Sequence, residues 1–537
     1  MGESKVVTVL LILSSLVVKA QEGRYMVFFK DKVGTTFSVD NPEQFLSQRS
    51  IDRRAKHQIS LSEEDLPVSA DYISQVSATG AQVWYSSKWA NGVLVQVEND
   101  ELNDILALAF VQNAEYVAPT KSSSGGRAKK FKSKKDSNIE VVNQIQTNMI
   151  GLDDMHADGL TGAGISIAVF DSGFTGVNLT VPFGHLQQGK LQLTLDLVNK
   201  SGNVFQYDDH GTEVLSVMAA RQDGVYQGGV PDAIYQLFVT EDVSSEFRVE
   251  EYNWLVAAEK ADSAGVDIIN SSLGYNLFDD SSMDYTIDQL DGSTAVVSRA
   301  AAMAKSKGIL VVESAGNDGG SSFKFINPPA DVEGVLAVGA VTSTGNLSSF
   351  SSVGPTADGR IKPDVVALGS GVSVIKANGS SGFSSGTSSS TPLIASLAAG
   401  LMQGYPELTS GEIFDLIIQS GNRSENPDNL FGYGIPHYLA AKQIMEGGEV
   451  HVPTSAILLY PNPISGDTLK IEMDIEPGQE ATISIYSLKG QLVFQSEGQL
   501  TYGNNPVELD LSKFSAGLYI VRVETLGILK TFRLVKL

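Results

Sequence analysis

The sequence predicts a doubly wound, mostly parallel α/β sheet at its centre, preceded by a small α+β domain and followed by a small β-sandwich. Three observations carry this. GISIAVFD, VDIINSSL, GILVVESAG and VLAVGAV are nearly continuous apolar runs, as strands buried on both faces are. HGTEVLSVMAA, EEYNWLVAAEKADSAG and TAVVSRAAAMAKSKG alternate with them at helical spacing, so the order is strand, helix, strand. After Ala456, LKIEMDI, ATISIYSL, QLVFQS, VELDL, GLYIVRVE and KTFRLVKL alternate at period two between Gly, Pro and Asn, which marks a small sandwich. An open parallel sheet places its chemistry at the carboxyl ends of its strands.

The other segments follow in chain order. Residues 1–20 carry Lys5, the apolar run VVTVLLILSSLVV and small residues before Gln21, the pattern of a signal peptide. The run is shorter than the ~20 residues that cross a bilayer. A mature start near Gln21, with no transmembrane segment beyond it, is expected. In residues 21–120, RYMVFFK and GVLVQVE read as strands, PEQFLSQRSIDRRAKHQ and NDELNDILAL as helices, and EYVAP as a last strand, roughly β-α-β-α-β. Residues 121–138 open with KSSSGGRAKKFKSKK, which holds seven Lys/Arg and no acid and reads as a solvated linker open to proteolysis. The α/β domain spans 139–446, a second linker 447–455, and the sandwich 456–537.

Composition excludes several functions. The 537 residues allow three or four domains at roughly 150 residues each. The formal charge is 38 − 62 = −24, so phosphate would be repelled and no nucleic-acid partner is expected. Residues 139–446 hold 14 Lys/Arg and 36 Asp/Glu, 14 − 36 = −22, which places nearly all of the acidity on the central domain. Cysteine is absent, so disulfides, thiolate metal sites and a cysteine nucleophile are excluded together.

Three local sequences carry candidate chemistry. Asp171 ends the strand GISIAVFD at the functional edge of the sheet. Of six histidines, only His210, in DDHGTEVLSVMAA, stands at the start of a long apolar helix above that edge. In GFSSGTSSSTPLIASLAAGLM, Pro392 suits the first turn of a helix, with Ser384, Ser385, Ser388, Ser389 and Ser390 in the turn before it. Serine attacks a carbonyl, histidine takes its proton and aspartate holds the histidine tautomer, so the three types together point to acyl transfer. The chain order Asp171, His210, Ser388 is that of subtilisin.

AVFDSG, DDHGTEV, SSLG, ESAGNDG, VLAVGAV, SSFSSVGP, GTSSSTP and FGYGIPHYLAA, in this order over about residues 141–446, resemble the landmarks of the subtilisin-like serine proteases. The resemblance implies an endopeptidase acting on polypeptides, with Asp171, His210 and Ser388 as the triad. It implies Asn317 as the side-chain donor of the oxyanion hole, and Ser272, Leu273, Gly274, Ala315 and Gly316 as walls of the substrate pocket. It implies no cofactor for the chemistry. Residues 24–118 look like the family's propeptide, an intramolecular inhibitor. LLYPNPISGDTLKIEM, FSAGLYIVRVET and KTFRLVKL are similar to the C-terminal sorting domain of type IX secretion. That implies export through the periplasm of a Gram-negative bacterium to the medium or the cell surface, with only the third segment persisting.

The chain departs from the family in places. Glu213 replaces a common second histidine, and Leu393-Ile394-Ala395-Ser396 replaces the usual run after the proline. Structural calcium stays open and unassigned, since Asp223 is the only carboxylate in RQDGVYQGGVP and calcium takes six to eight oxygens. Two rival functions remain. Gly382-Phe383-Ser384-Ser385-Gly386 satisfies the G-x-S-x-G elbow of serine esterases, but the elbow needs a buried strand before its serine, and NGSSGF is not one. An inactive, protein-binding relative is opposed by the presence of all four candidate catalytic residues.

Overall fold

The computed structural model describes residues 22–98, 100–120, 143–447, 458–464, 466–472, 480–487, 491–499, 507–525 and 528–537. The expected signal peptide, the basic linker and all of the second linker but Gly447 lie outside these residues. Contacts divide the chain into two compact units.

The first unit takes the described residues up to Phe45, those between Leu61 and Thr120, and Ser244–Val249. Strands β1 (Gly23–Phe29), β2 (Gln82–Ser87), β3 (Gly92–Val97) and β4 (Val111–Ala118) form an antiparallel sheet in the order β2-β3-β1-β4. Val27, Val76, Val93, Val95 and Ile105 fill its core and are fully buried. The expected β-α-β-α-β order is corrected by β2 and a helix before it. QVWYSS holds a single aliphatic residue and ends in two serines, so it does not stand out as a strand. The helix expected from PEQFLSQRSIDRRAKHQ also breaks, into a turn at Pro42–Gln44 and α1 (Gln48–Lys56), because Ser47 caps the second piece by accepting from Ser50 N. Helix α1 belongs to the second unit. Helices α2 (Ala70–Ala78) and α3 (Glu101–Leu106) complete the first.

In the second unit, short helices α4 (Gln144–Met149) and α5 (Leu152–Ala157) lead into β5 (Ser166–Asp171). Then come β6 (Leu191–Asp196), α6 (His210–Ala219), the ribbon β7 (Arg221–Gln222) and β8 (Tyr226–Gln227), and β9 (Ile234–Val239). They are followed by α7 (Val249–Ala264), β10 (Ile268–Ser271), α8 (Val296–Ser306), β11 (Leu310–Ser314), β12 (Leu336–Val341) and β13 (Val365–Leu368). The hairpin β14 (Val372–Ile375) and β15 (Ser381–Ser384) precedes helices α9 (Thr387–Gly404), α10 (Ser410–Gln419) and α11 (Tyr438–Met445). Seven strands form one sheet, ordered β13-β12-β11-β10-β5-β9-β6, and every neighbouring pair in it is parallel. Strand order reverses between β5 and β10, the crevice where such sheets hold their sites.

Without disulfides, packing must hold this unit together, and each fully buried Val, Leu or Phe contributes roughly 1.5–3 kcal/mol. Helix α9 is the axis of the packing, since its residues from Thr387 to Met402 are all buried. The C-terminal residues form two antiparallel sheets. One is ordered β16 (Leu458–Tyr460), β17 (Thr468–Glu472) and β20 (Val507–Asp510). The other is ordered β19 (Leu492–Gln499), β18 (Glu480–Ser487), β21 (Gly517–Thr525) and β22 (Ile528–Lys536). Leu469, Ile471, Ile485, Val521 and Leu534 form their core. No described helix is long and apolar enough to cross a membrane.

Candidate active site

Asp171 is the last residue of β5 and is fully buried. His210 is the first residue of α6, and its Nδ1 lies 2.9 and 3.0 Å from the two Asp171 oxygens. An ionised carboxylate can only accept, so Nδ1 carries a proton and Nε2 is left to act as a base. Gly211 makes this approach possible. A Cβ there would stand 2.5 Å from Gly173 O and 2.8 Å from Asp171 Cβ. Asp171 also accepts from Ser172 N at 2.8 Å, and the Ser172 hydroxyl lies within hydrogen-bond reach of both Asp171 and Asp208.

Burial of His210 disfavours its charged form. Asp171, through charge and hydrogen bond, together with the negative fields of Asp208 and Glu213, outweighs this and raises the pKa to about 9. Glu213 is itself held by Lys376, 2.6 Å away, and Lys376 Nζ also donates to Phe383 O.

Ser388 is the second residue of α9, not part of a turn before it. The helix starts five residues earlier than Pro392, which is therefore interior rather than in the first turn. An interior proline leaves the carbonyl four residues back without its N–H partner. Here that carbonyl belongs to Ser388, and the Ser272 hydroxyl donates to it at 3.0 Å. The hydroxyls of Ser390 and Thr391 turn back to Thr387 O, at 2.9 and 2.8 Å, so the serine-rich run is compatible with a helix. Ser388 Oγ donates to Ser272 O at 3.3 Å.

Asn317 follows β11 and is exposed. Its Oδ1 accepts from Thr387 N at 2.9 Å and from the Thr387 hydroxyl at 3.1 Å, which fixes the amide and leaves Nδ2 as a donor. The sequence reading missed Thr387, which also accepts from Gly316 N at 3.3 Å. Ser272 and Ala315 are buried and Leu273 and Gly274 half-buried at the ends of β10 and β11, where Ser314 Oγ donates to Leu273 O at 2.9 Å. Asn327, also missed, is wedged beside the two glycines. A Cβ on Gly274 would meet its Cβ at 3.0 Å, and one on Gly316 its Nδ2 at 2.7 Å. Asn327 Nδ2 donates to Asp318 at 2.8 Å, and Asn276 Nδ2 donates to Asn327 Oδ1 at 3.0 Å. No residue pattern flags Asn327. By contrast Glu313, an acid within the apolar run ILVVES, is fully buried next to these walls, and burial pushes its pKa well up.

Ser384 ends β15, which leads into α9 but is an antiparallel, only half-buried hairpin partner of β14, so the buried strand that an esterase elbow needs before its serine is missing. His437 is the N-cap of α11 and accepts from Leu439 N. His156 lies in α5 with its Nε2 2.7 Å from Gly229 O. The β7–β8 ribbon offers the exposed Asp223 as its one carboxylate, which does not fit a calcium ion's six to eight oxygens.

Residues 162–434 match the Subtilase family, residues 24–137 the Peptidase S8 propeptide domain of Bacteroidota, and residues 458–536 the secretion system C-terminal sorting domain. Subtilisin NAT of Bacillus subtilis subsp. natto is 31% identical over 297 residues, covering 54% of this chain and 68% of its own. Subtilisin of Bacillus pumilus is 30% identical over 297 residues, 54% of this chain and 94% of its own. Among solved structures, MycP1 from Mycobacterium smegmatis covers 57% of this chain and 86% of its own at 21% identity, with a TM-score of 0.46. With the central sheet, the propeptide match before it and the sorting-domain match after it, the chain belongs to the subtilase family and is a subtilisin-like serine protease.

Proposed function

We propose that the chain is a secreted serine endopeptidase that cleaves polypeptides through an acyl-enzyme intermediate. The observation that carries this is the paired Asp171 and His210 at the strand switch point, with Ser388 at the start of α9 and Asn317 tied to the same helix start through Thr387. Ser388 Oγ turns from Ser272 O toward His210 Nε2, gives up its proton there and attacks the scissile carbonyl carbon. Asn317 Nδ2 and the Ser388 N–H receive the oxyanion. The imidazolium, stabilised by ionised Asp171, then protonates the leaving amine as the carbon–nitrogen bond breaks. Water, deprotonated by the same Nε2, hydrolyses the acyl-enzyme and restores Ser388. The substrate lies extended between Ser272–Gly274 and Ala315–Gly316 as an added strand. No step passes through a metal or cofactor. Casein hydrolysis that stops with a fluorophosphonate inhibitor tests this reading, and hydrolysis unaffected by that reagent would oppose it.

The raised His210 pKa has a direct consequence. Because the neutral imidazole is the working base, kcat/KM is expected to rise with pH along a limb centred near 9. Glu213→Gln removes a negative neighbour, so the limb should move to lower pH and the rate at pH 8 should increase. A limb that stays in place would show that Glu213 does not set the His210 pKa. The sign for stability is the opposite. The charged pair stabilises the fold fully below the ordinary histidine pKa of 6.5, and this contribution fades as pH rises through about 9.

The N-terminal domain is read as an intramolecular inhibitor removed by cleavage in 121–138. The C-terminal domain is read as the address for type IX export through the periplasm of a Gram-negative bacterium, to the medium or the cell surface. The two domain matches support both readings. A chain without residues 456–537 should stay inside the cell, and its undiminished export would contradict this.

A further inference from the structure

Helix α1 lies within the N-terminal segment matched as a propeptide, yet it packs as part of the second unit. Its seat is the carboxyl-terminal ends of α7 and α8. Each of these helices is followed by a glycine at positive φ, Gly265 at +82° and Gly308 at +85°. Such ends leave carbonyl oxygens without helical partners and carry partial negative charge, which suits cationic donors.

Three arginines of α1 supply those donors. Arg53 Nε donates to Lys307 O, just past α8, at 3.1 Å, and Nη1 donates to Val266 O, just past α7. Its Nη2 meets Asp262 Oδ1 at 2.6 Å, while Arg54 Nη2 meets both Asp262 oxygens at 2.9 and 2.8 Å. Arg49 Nε donates to Gly265 O at 2.8 Å, and its Nη2 pairs with Asp267 and reaches Gly164 O at 2.7 Å. The backbone joins in, since Ser47 N donates to Ser263 O at 2.8 Å. The two glycines make the close approach possible. A Cβ on Gly265 would lie 2.6 Å from Arg49 Cβ, and one on Gly308 would lie 3.1 Å from His57 Cγ.

Asp262 is fully buried, and Arg53 and Arg54 are 5% and 2% exposed. A solvated surface pair contributes little, but a desolvated carboxylate stripped of both guanidinium partners is left buried and uncompensated. We infer that α1 is a detachable cap for α7 and α8, and that its Arg53/Arg54 clamp on Asp262 is the anchor that keeps the cleaved N-terminal segment bound to the protease. This rests on reading that segment as a propeptide. The partner the notch recognises is a helix presenting two consecutive arginines with a third four residues before the first.

The test uses the full-length chain with Ser388→Ala, folded first and then cut in vitro at a specific protease site placed within residues 121–135. With the native clamp, the N-terminal fragment should co-elute with the rest of the chain in size exclusion. Arg53→Met with Arg54→Met, and separately Asp262→Asn, should raise the dissociation constant at least ~100-fold and separate the two pieces. If the double variant does not fold, Arg53→Lys keeps the charge, loses the fork geometry and should weaken retention by ~10-fold. Retention unchanged by Arg53→Lys and Asp262→Asn would overturn the clamp. Failure of the propeptide reading looks different. With Ser388 intact, a cut chain whose fragment stays bound but whose peptidase is fully active would refute inhibition while leaving the anchor standing.

Discussion

Ser388→Ala is expected to lower kcat on a peptide substrate by about a millionfold, the size measured for the nucleophile of a subtilisin, while Ser384→Ala stays within about twofold of the unmodified enzyme. The physical reason is that acyl transfer needs an oxygen nucleophile beside a base, and the fold puts these two serines in different surroundings. Ser388 lies in the first turn of the buried helix α9 and is bonded to Ser272 at both its hydroxyl and its carbonyl. Ser384 sits on a half-buried hairpin strand. The residual rate of the Ser388→Ala protein comes from binding and the oxyanion donors. The same variant should accumulate uncut in residues 121–138, and normal processing would assign that cut to another protease. A large loss with Ser384→Ala and a small one with Ser388→Ala would reverse the assignment.

Asn317→Ala is expected to lower kcat by roughly a hundredfold to a thousandfold with little change in KM, again a magnitude known from a subtilisin. The amide acts on charge that exists only in the transition state, so the ground state should bind as before. Its orientation comes from Thr387, whose N–H and hydroxyl both hold Oδ1. Thr387→Val keeps the N–H and loses the hydroxyl, so the smaller effect should again fall on kcat. If Asn317→Ala raised KM and left kcat unchanged, the residue would be a ground-state contact instead.

Much of the fold was legible because the buried strands are apolar on both faces. β5, β10, β11 and β12 stand out as continuous runs, and Asp171 and His210 mark the ends of elements whose boundaries the pattern already shows. Elements broken by polar residues were not legible. In β9 Gln236 interrupts IYQLFV, and β6 is half-buried along most of its length. Helix α9 was misjudged at its start. Its first turn consists of serines and threonines, residues that usually cap helices, and its proline lies in the interior because Ser272 satisfies the carbonyl that the proline leaves open. Contacts between distant segments were the least legible. Asn327 beside Gly274 and Gly316, and Arg53 against Asp262, depend on chain crossings that no local pattern encodes.

The proposed reaction requires Ser388 to be the activated nucleophile. Treating the active, mature protein with a fluorophosphonate and mapping the adduct by peptide mass spectrometry tests it most directly. One adduct is expected, on Ser388, and it should disappear in the His210→Ala protein along with casein hydrolysis. An adduct on Ser384, or full casein hydrolysis with Ser388 unlabelled, would contradict it.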